Sequence, residues 1–444
     1  MRELFERLVQ TIFSTVSDGL QDDSLQAHYL RYFKWNETEF DYADTGVKIN
    51  RREGNEFLKP LWNTNEVFQK VIKLNIYDDT YKEIVDSCNL SDAKANEYLH
   101  SIVTKLTADI LAQKLKSLAG ATKYIASFLR DLNGQQQEYR VVVALKSLIS
   151  QPKSIKPDGN VKLRQPQRKD SKEEYYILSA FSKQRNVGPT TLLSMKIQSK
   201  LGTSQPTIRA KIDEAVTILR LFRVGAMEYM HYTSDAGSFL DPFGKLDIPT
   251  RLWGRQNYLI TRGKDVKSLK KFWTNIRRSS YQIPLILFHK KTNEISIAYD
   301  RYCDSLEGET IEKRVSSAVM GLEALYLSGG EQQAMNYRLR MRVSKLLNLI
   351  GFDWKGTHDK VKDAHEIRSK YVHGGLLNQK DKHKIERKHG DINEFPKIIM
   401  DYLRASIVAL LTRPSTTSLI QKIDGSFLDT KKGQEVTALL FVPY

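Results

Sequence analysis

The sequence predicts a predominantly α-helical protein: a C-terminal four-helix bundle, preceded by a mixed α/β central region and a helical N-terminal region. Three observations carry this. Apolar residues recur at helical spacing over the first 135 positions. Near residue 138 the pattern changes to short β-branched runs with turn signals. From about residue 295 onward, four amphipathic stretches are each closed by glycine or proline.

In the first region (1–135), Leu4, Phe5, Leu8, Val9, Ile12, Phe13 and Val16 form one helical stripe. A second helix is expected through "ANEYLHSIVTKLTADILAQKLKSLAG", ending at its glycine. The polar "DYADTGVKINRREGNEF" between them reads as loop or short strands. In the central region (136–294), "EYRVVVALKSLI" and "NVKLR" read as strands around a "PDG" turn. "TSQPTIRAKIDEAVTILRLF" reads as a helix capped by Thr203 or Ser204, and "YQIPLILFH" as a buried strand or buried helix.

Within that region, "RGKDVKSLKKFWTNIRR" interleaves cations with aromatics. Lys270, Lys271, Trp273, Arg277 and Arg278 can hold phosphates and stack on bases, which makes them candidate RNA-binding residues. The alternative is an amphipathic helix with a charged outer and an aromatic inner face. The third region (295–412) supplies the bundle helices in "RVSSAVMGLEALYLSGG", "NYRLRMRVSKLLNLIG", "HDKVKDAHEIRSKYVHGG" and "PKIIMDYLRASIVALL". The tail (413–444), ending "EVTALLFVPY", is expected to add a strand or wrap the surface.

The formal net charge is +17, from 69 Lys and Arg against 52 Asp and Glu. Such a surplus favours an anionic partner, the commonest soluble one being a polyphosphate backbone; a merely solvated surplus is the alternative. Cys88 and Cys303 are the two cysteines, which excludes a disulfide framework and a cysteine-rich zinc site and fits a reducing cytosol. The opening twenty residues lack the apolar core of a signal peptide, and no segment approaches a membrane span. A cytoplasmic protein with no membrane partner is expected. No cofactor or metal is expected either. "VGPTTL" lacks the lysine of a phosphate loop, and the histidines of "KDKHKIERKHGD" have no neighbouring cysteines and read as a solvated loop.

The chemistry concentrates in "RSKYVHGG", residues 368–375. With about 100° per residue, Ala364, Ile367, Tyr371 and Val372 share an apolar arc with Val361, and Arg368 falls near its middle. A buried guanidinium needs a partner, so Arg368 either pairs with an acid or faces a cleft. The available acid is Glu323, at the edge of the stripe in "GLEALYL". His373 precedes Gly374-Gly375, a pair suited to a left-handed helix end that lets the imidazole turn back toward Arg368.

The segment "IAYDRYCDSLEGETIEKRVSSAVMGLEALYLSGGEQQAMNYRLRMRVSKLLN", followed by "AHEIRSKYVHGG", resembles the HEPN superfamily, in its Apea-like, abortive-infection branch. The shared features are the "LEAL" helix, the "YRL…R…LL" helix and the arginine–histidine helix end, and the resemblance covers roughly residues 138 to 410. It implies a metal-independent endoribonuclease acting as a homodimer in bacterial antiphage defence, a toxin-like hydrolase of RNA, with tRNA one candidate substrate. Arg368 and His373 of two copies would form one composite cleft. His373 would move protons and Arg368 would steady the crowded phosphate, while Ser369 and Glu323 support them. Many members carry Asn, Asp or His where this chain has Ser369. A phage-derived trigger or regulatory partner is also implied. Two other readings stay open: a non-catalytic RNA- or nucleotide-binding sensor, and a dimerising scaffold signalling to a separate effector.

Overall fold

The computed structural model describes residues 1–21, 27–41, 48–62, 64–88, 91–111, 115–132, 136–165, 191–200, 204–225, 227–235, 244–247, 258–278, 293–327, 334–412 and 417–442. The chain is predominantly helical, with a smaller share of strand. It divides into two units, Met1–Ala144 with Arg164–Lys211 and Met230–Ile248, and Leu145–Leu163 with Ile212–Tyr229 and Pro249–Tyr444.

The first unit opens with α1 (Arg2–Gln21), whose Phe5, Leu8, Val9, Ile12 and Val16 are buried, as their spacing predicts. These side chains pack on α2 (Thr64–Val71), α3 (Asn75–Cys88), α4 (Asp92–Leu111) and α5 (Leu118–Leu132). Phe5 meets Phe128 of α5 edge-on, ring centroids 4.3 Å apart. The expected helix through residues 95–120 is two helices: α4 stops at Leu111, and Gly120 lies inside α5. The expected glycine stop fails because periodicity continues across a short break that pattern alone does not reveal. Of the loop-or-strand stretch, Asp41 and residues 48–57 lie in a long antiparallel pair, β1 (Ala27–Asp41) with β2 (Lys48–Trp62), and residues 42–47 lie outside the described residues. The unit also holds β7 (Thr191–Lys200), β3 (Gln136–Lys146), β8 (Glu228–Asp235) and β9 (Gly244–Asp247), side by side in that order.

The second unit contains β4 (Leu148–Ser150) paired in parallel with β10 (Tyr258–Ile260), the short β5 (Ser154–Ile155) and β6 (Val161–Arg164), and most of α6 (Ser204–Phe222). Then come α7 (Lys264–Arg278), α8 (Glu294–Glu307), α9 (Ile311–Tyr326), α10 (Met335–Leu349), α11 (Trp354–Val372), α12 (Gln379–His389), α13 (Phe395–Leu410), α14 (Thr417–Gly425) and α15 (Thr430–Leu439). The segment "YQIPLILFH" lies outside the described residues. The four expected bundle helices are α9, α10, α11 and α13, joined by α8 and α12, which sequence reading did not separate.

Helix α9 is the hub: it packs on α8, α10, α11 and α13. Gly321 permits this, since a Cβ there would stand 2.6 Å from Leu403 and 3.2 Å from the Arg301 Cβ. Buried Tyr326 donates its hydroxyl to Ser406 of α13 at 2.8 Å. Arg342 of α10 is 3% exposed; it is held by Asp424 of α14 at 2.8 and 2.6 Å and by the Tyr326 carbonyl.

Two expectations need correction here. The "KDKHKIERKHGD" histidines are not on a solvated loop, because the stretch forms α12, capped by Asn378 and ended by Gly390 at φ 87°. His389 is buried, its Nε2 2.6 Å from Asp363 and its ring stacked on Phe395. The tail is helical rather than a strand through α14 and α15. Among the described residues no helix is long and apolar enough to cross a membrane.

Replacing Gly321 by Val should overpack the α8–α9–α13 junction and lower stability by about 1–3 kcal/mol. Denaturant unfolding would detect this; an unchanged midpoint would mean the helices are not held this closely.

Candidate functional site

Helix α11 forms because Asp353 caps its first turn and Val361, Ala364 and Ile367 bury one face. It ends as its glycines predict. Gly374 adopts φ 79°, and Gly375 donates to the Lys370 carbonyl at 2.8 Å. The apolar arc is narrower than the wheel suggests, because Val372 is 51% exposed.

The expected ion pair is present. Arg368 Nη2 lies 3.1 Å from Glu323 Oε2, bridging α11 to α9. The sequence reading missed His365, whose Nε2 is 3.6 Å from the other Glu323 oxygen. Positions 365 and 368 are three apart and so share a helix face, a signal that the spacing alone contained.

Arg368 also faces a cleft, so its two proposed roles coexist. A cavity of about 670 Å³ is lined by Glu323, His365, Arg368 and Ser369 together with Asn336, Tyr337 and Arg340 of α10. Among the described residues, three of its buried polar atoms find no hydrogen-bond partner: Arg368 Nε, Arg340 Nε and Asn336 Oδ1. Such atoms are costly when left unmatched. The α10 N-terminus opens here as well, its cap residue Ala334 at φ 54° making no side-chain capping bond. Two guanidiniums, a helix N-terminus and one carboxylate give the cleft a cationic balance suited to an oxyanion.

Burial sets the local protonation. It raises the Glu323 carboxyl above its usual range, against the opposing pull of Arg368. Burial likewise lowers the His365 imidazole, helped by the nearby Arg368 charge and opposed by Glu366. A neutral imidazole beside a fixed guanidinium is able to accept a proton.

His373 stands apart. It is the exposed C-cap residue of α11, its backbone N–H reaching the Ser369 carbonyl at 3.3 Å, and it does not line the cleft. One chain therefore brings together Arg368, Ser369 and Glu323, but not His373.

The basic helix α7 presents fewer candidates than its sequence suggests. Leu269, Phe272, Trp273 and Ile276 form its buried face. Trp273 is 1% exposed and donates Nε1–H to Asp158 at 2.8 Å, so its ring offers no face for a base. Arg277 is committed to Asp158 at 2.7 Å and Glu214 at 3.5 Å. Asp158, in the "PDG" turn, also accepts the Asn160 and Val161 N–H groups. Burial would raise its carboxyl, but these hydrogen bonds hold it below the usual range. Lys270, Lys271 and Arg278 remain on the exposed side. Among the described residues no cluster of three metal-ligating side chains occurs.

No family model matches the chain, and no curated protein or solved structure matches it either.

A pH prediction follows from His365. Its folded value is lowered, so the unfolded chain takes up a proton first as pH falls below about 6.5. The stability contributed by this group is full above that pH and is lost as pH descends through the folded value. Denaturant unfolding from pH 7.5 to 5 should show a smaller loss for His365→Gln than for the parent. Equal losses would mean that His365 is not held in a desolvated, cationic setting.

Proposed function

We propose that the chain is a metal-independent endoribonuclease of the HEPN type, active as a homodimer in bacterial antiphage or abortive-infection defence. The observation that carries this reading is the cleft lined by Arg368, Ser369, Glu323 and Arg340, in which two guanidiniums stand beside one carboxylate. The order of the three motifs along α9, α10 and α11 supports it, as does the overall charge of +17.

In the proposed reaction an RNA 2′-hydroxyl attacks the adjacent phosphorus. The P–O2′ bond forms, the P–O5′ bond breaks, and a 2′,3′-cyclic phosphate and a 5′-hydroxyl result. A base takes the 2′-hydroxyl proton, and the departing O5′ receives one. Arg368 steadies the charge on the phosphoryl oxygens, with Arg340 beside it. Glu323 keeps Arg368 in place, and Ser369 lines the path. His373, exposed at the helix end, would be delivered to a composite site by dimerisation.

Large exposed apolar side chains favour a second copy on this face. Met335 (47%) and Tyr337 (53%), at the start of α10, line the cleft, and Val372 (51%) and Leu376 (67%) stand at and just beyond the end of α11. One observation favours a second reading. Because His373 does not line the cleft, a single chain could hold RNA without cutting it, as a sensor or scaffold does.

Cleavage of total RNA and tRNA tests the proposal. Arg368→Ala and His373→Ala should each slow cutting by about a hundredfold or more. His365→Ala assigns the proton acceptor: if it abolishes cutting while His373→Ala does not, the role belongs to His365. If Arg368→Ala and His373→Ala cut as well as the parent, the reading fails. Salt-dependent RNA binding without turnover would select the sensor.

A further inference from the structure

A larger cleft, of about 850 Å³, lies elsewhere in the second unit and contains none of the residues discussed above as catalytic. Its basic lining comes from four segments: Arg223 just after α6, Lys264 at the start of α7, Lys360 in α11, and Lys397 with Arg404 in α13. Two acids, Asp265 and Asp401, share the lining.

Those acids are already engaged. Asp265 takes Arg223 at 2.7 and 3.1 Å as well as the Thr261 N–H and hydroxyl. Although burial opposes ionisation, these contacts hold its carboxyl down at about 2. Asp401 accepts from Arg404 Nε at 2.7 Å, and the same arginine reaches the Leu221 carbonyl. Two internal ion pairs therefore form a neutral floor, and three lysines from three different helices remain above it.

Lys264 and Lys360 have no acidic partner among the described residues. Lys397 reaches Glu394, whose side chain is 54% exposed, and an exposed pair of that kind is readily exchanged. A solvated helix face would carry such charges singly; here all three line one cavity. Like charges drawn together in this way are relieved by an anion with several negative oxygens. One wall is aromatic: Phe352 is half-buried and meets Tyr402 edge-on, ring centroids 5.6 Å apart. Pockets of this size suit a small organic ligand.

We propose that this cleft binds a nucleoside di- or triphosphate, its phosphates held by Lys264, Lys360 and Lys397 and its base against Phe352. The site is separate from the Arg368 cleft and stands whether or not that cleft cuts RNA.

Isothermal titration of the full chain with ATP, GTP, tripolyphosphate and a short RNA oligonucleotide tests this. ATP or GTP should bind with 1:1 stoichiometry. Lys264→Gln combined with Lys360→Gln should weaken that binding by tenfold or more, with an unchanged circular dichroism spectrum and thermal midpoint. Phe352→Ala should weaken the nucleoside triphosphates but not tripolyphosphate. Arg368→Ala should leave nucleotide affinity unaltered. The proposal is overturned if no triphosphate binds, if the lysine variant binds equally well, or if only the oligonucleotide binds and competes through these lysines. It is also overturned if Phe352→Ala leaves every affinity unchanged, because the site would then recognise phosphate alone.

Discussion

One carboxylate organises the C-terminal unit around its candidate site. Glu323 sits on α9, the helix that packs against four others, and its oxygens face Arg368 and His365 on α11. A carboxylate this enclosed is expensive to ionise, which is why its affinity for protons rises. It is tolerated because the guanidinium lies 3.1 Å away. The same contact fixes the rotation of α11, and with it the direction in which Arg368 Nε and Ser369 face the cleft. A packing interaction and a functional arrangement are here the same pair of atoms.

Much of this was legible in the sequence. A cation inside an apolar stripe requires a partner, and "GLEALYL" contained the one acid placed to supply it. The closing glycines of α11 also behave as their chemistry demands, with Gly374 in the left-handed region. Phe5, Leu8, Val9, Ile12 and Val16 are buried because apolar positions recurring at helical spacing leave little alternative. Each of these follows from local periodicity combined with a local stop.

What the sequence did not disclose depends on contacts between segments. His365 was overlooked because a polar residue on a helix has a purpose only once its neighbour across the interface is known. Arg340 is one of several arginines in "NYRLRMRV", and periodicity does not say which will meet Arg368 rather than Asp424. Trp273 looked available because aromatic and basic residues alternate in α7, yet Asp158, 115 positions away, captures its N–H. The α12 histidines read as loop because the stretch is strongly polar; Asn378, Ile385 and Gly390 were the weaker signals of a helix. The expected proximity of His373 to Arg368 assumed that a free helix end turns inward, and in one chain it stays at the surface.

The surplus of positive charge is not spread evenly in its consequences. Several cations are neutralised inside the fold, as Arg342 and Arg223 are, and contribute to packing alone. Others line two concavities in which the basic side chains outnumber the acids. We propose that the first of these, the Arg368 cleft, cuts RNA through the substrate's own 2′-hydroxyl. The most direct measurement is the chemistry of the cut ends on a defined RNA, compared with the same strand carrying a single 2′-deoxy nucleotide at the cut site. Attack by the 2′-hydroxyl should leave 2′,3′-cyclic phosphate and 5′-hydroxyl ends in the presence of chelator, and no cutting at the deoxy position. Cutting of the deoxy strand, or 5′-phosphate ends that vanish with chelator, would contradict it.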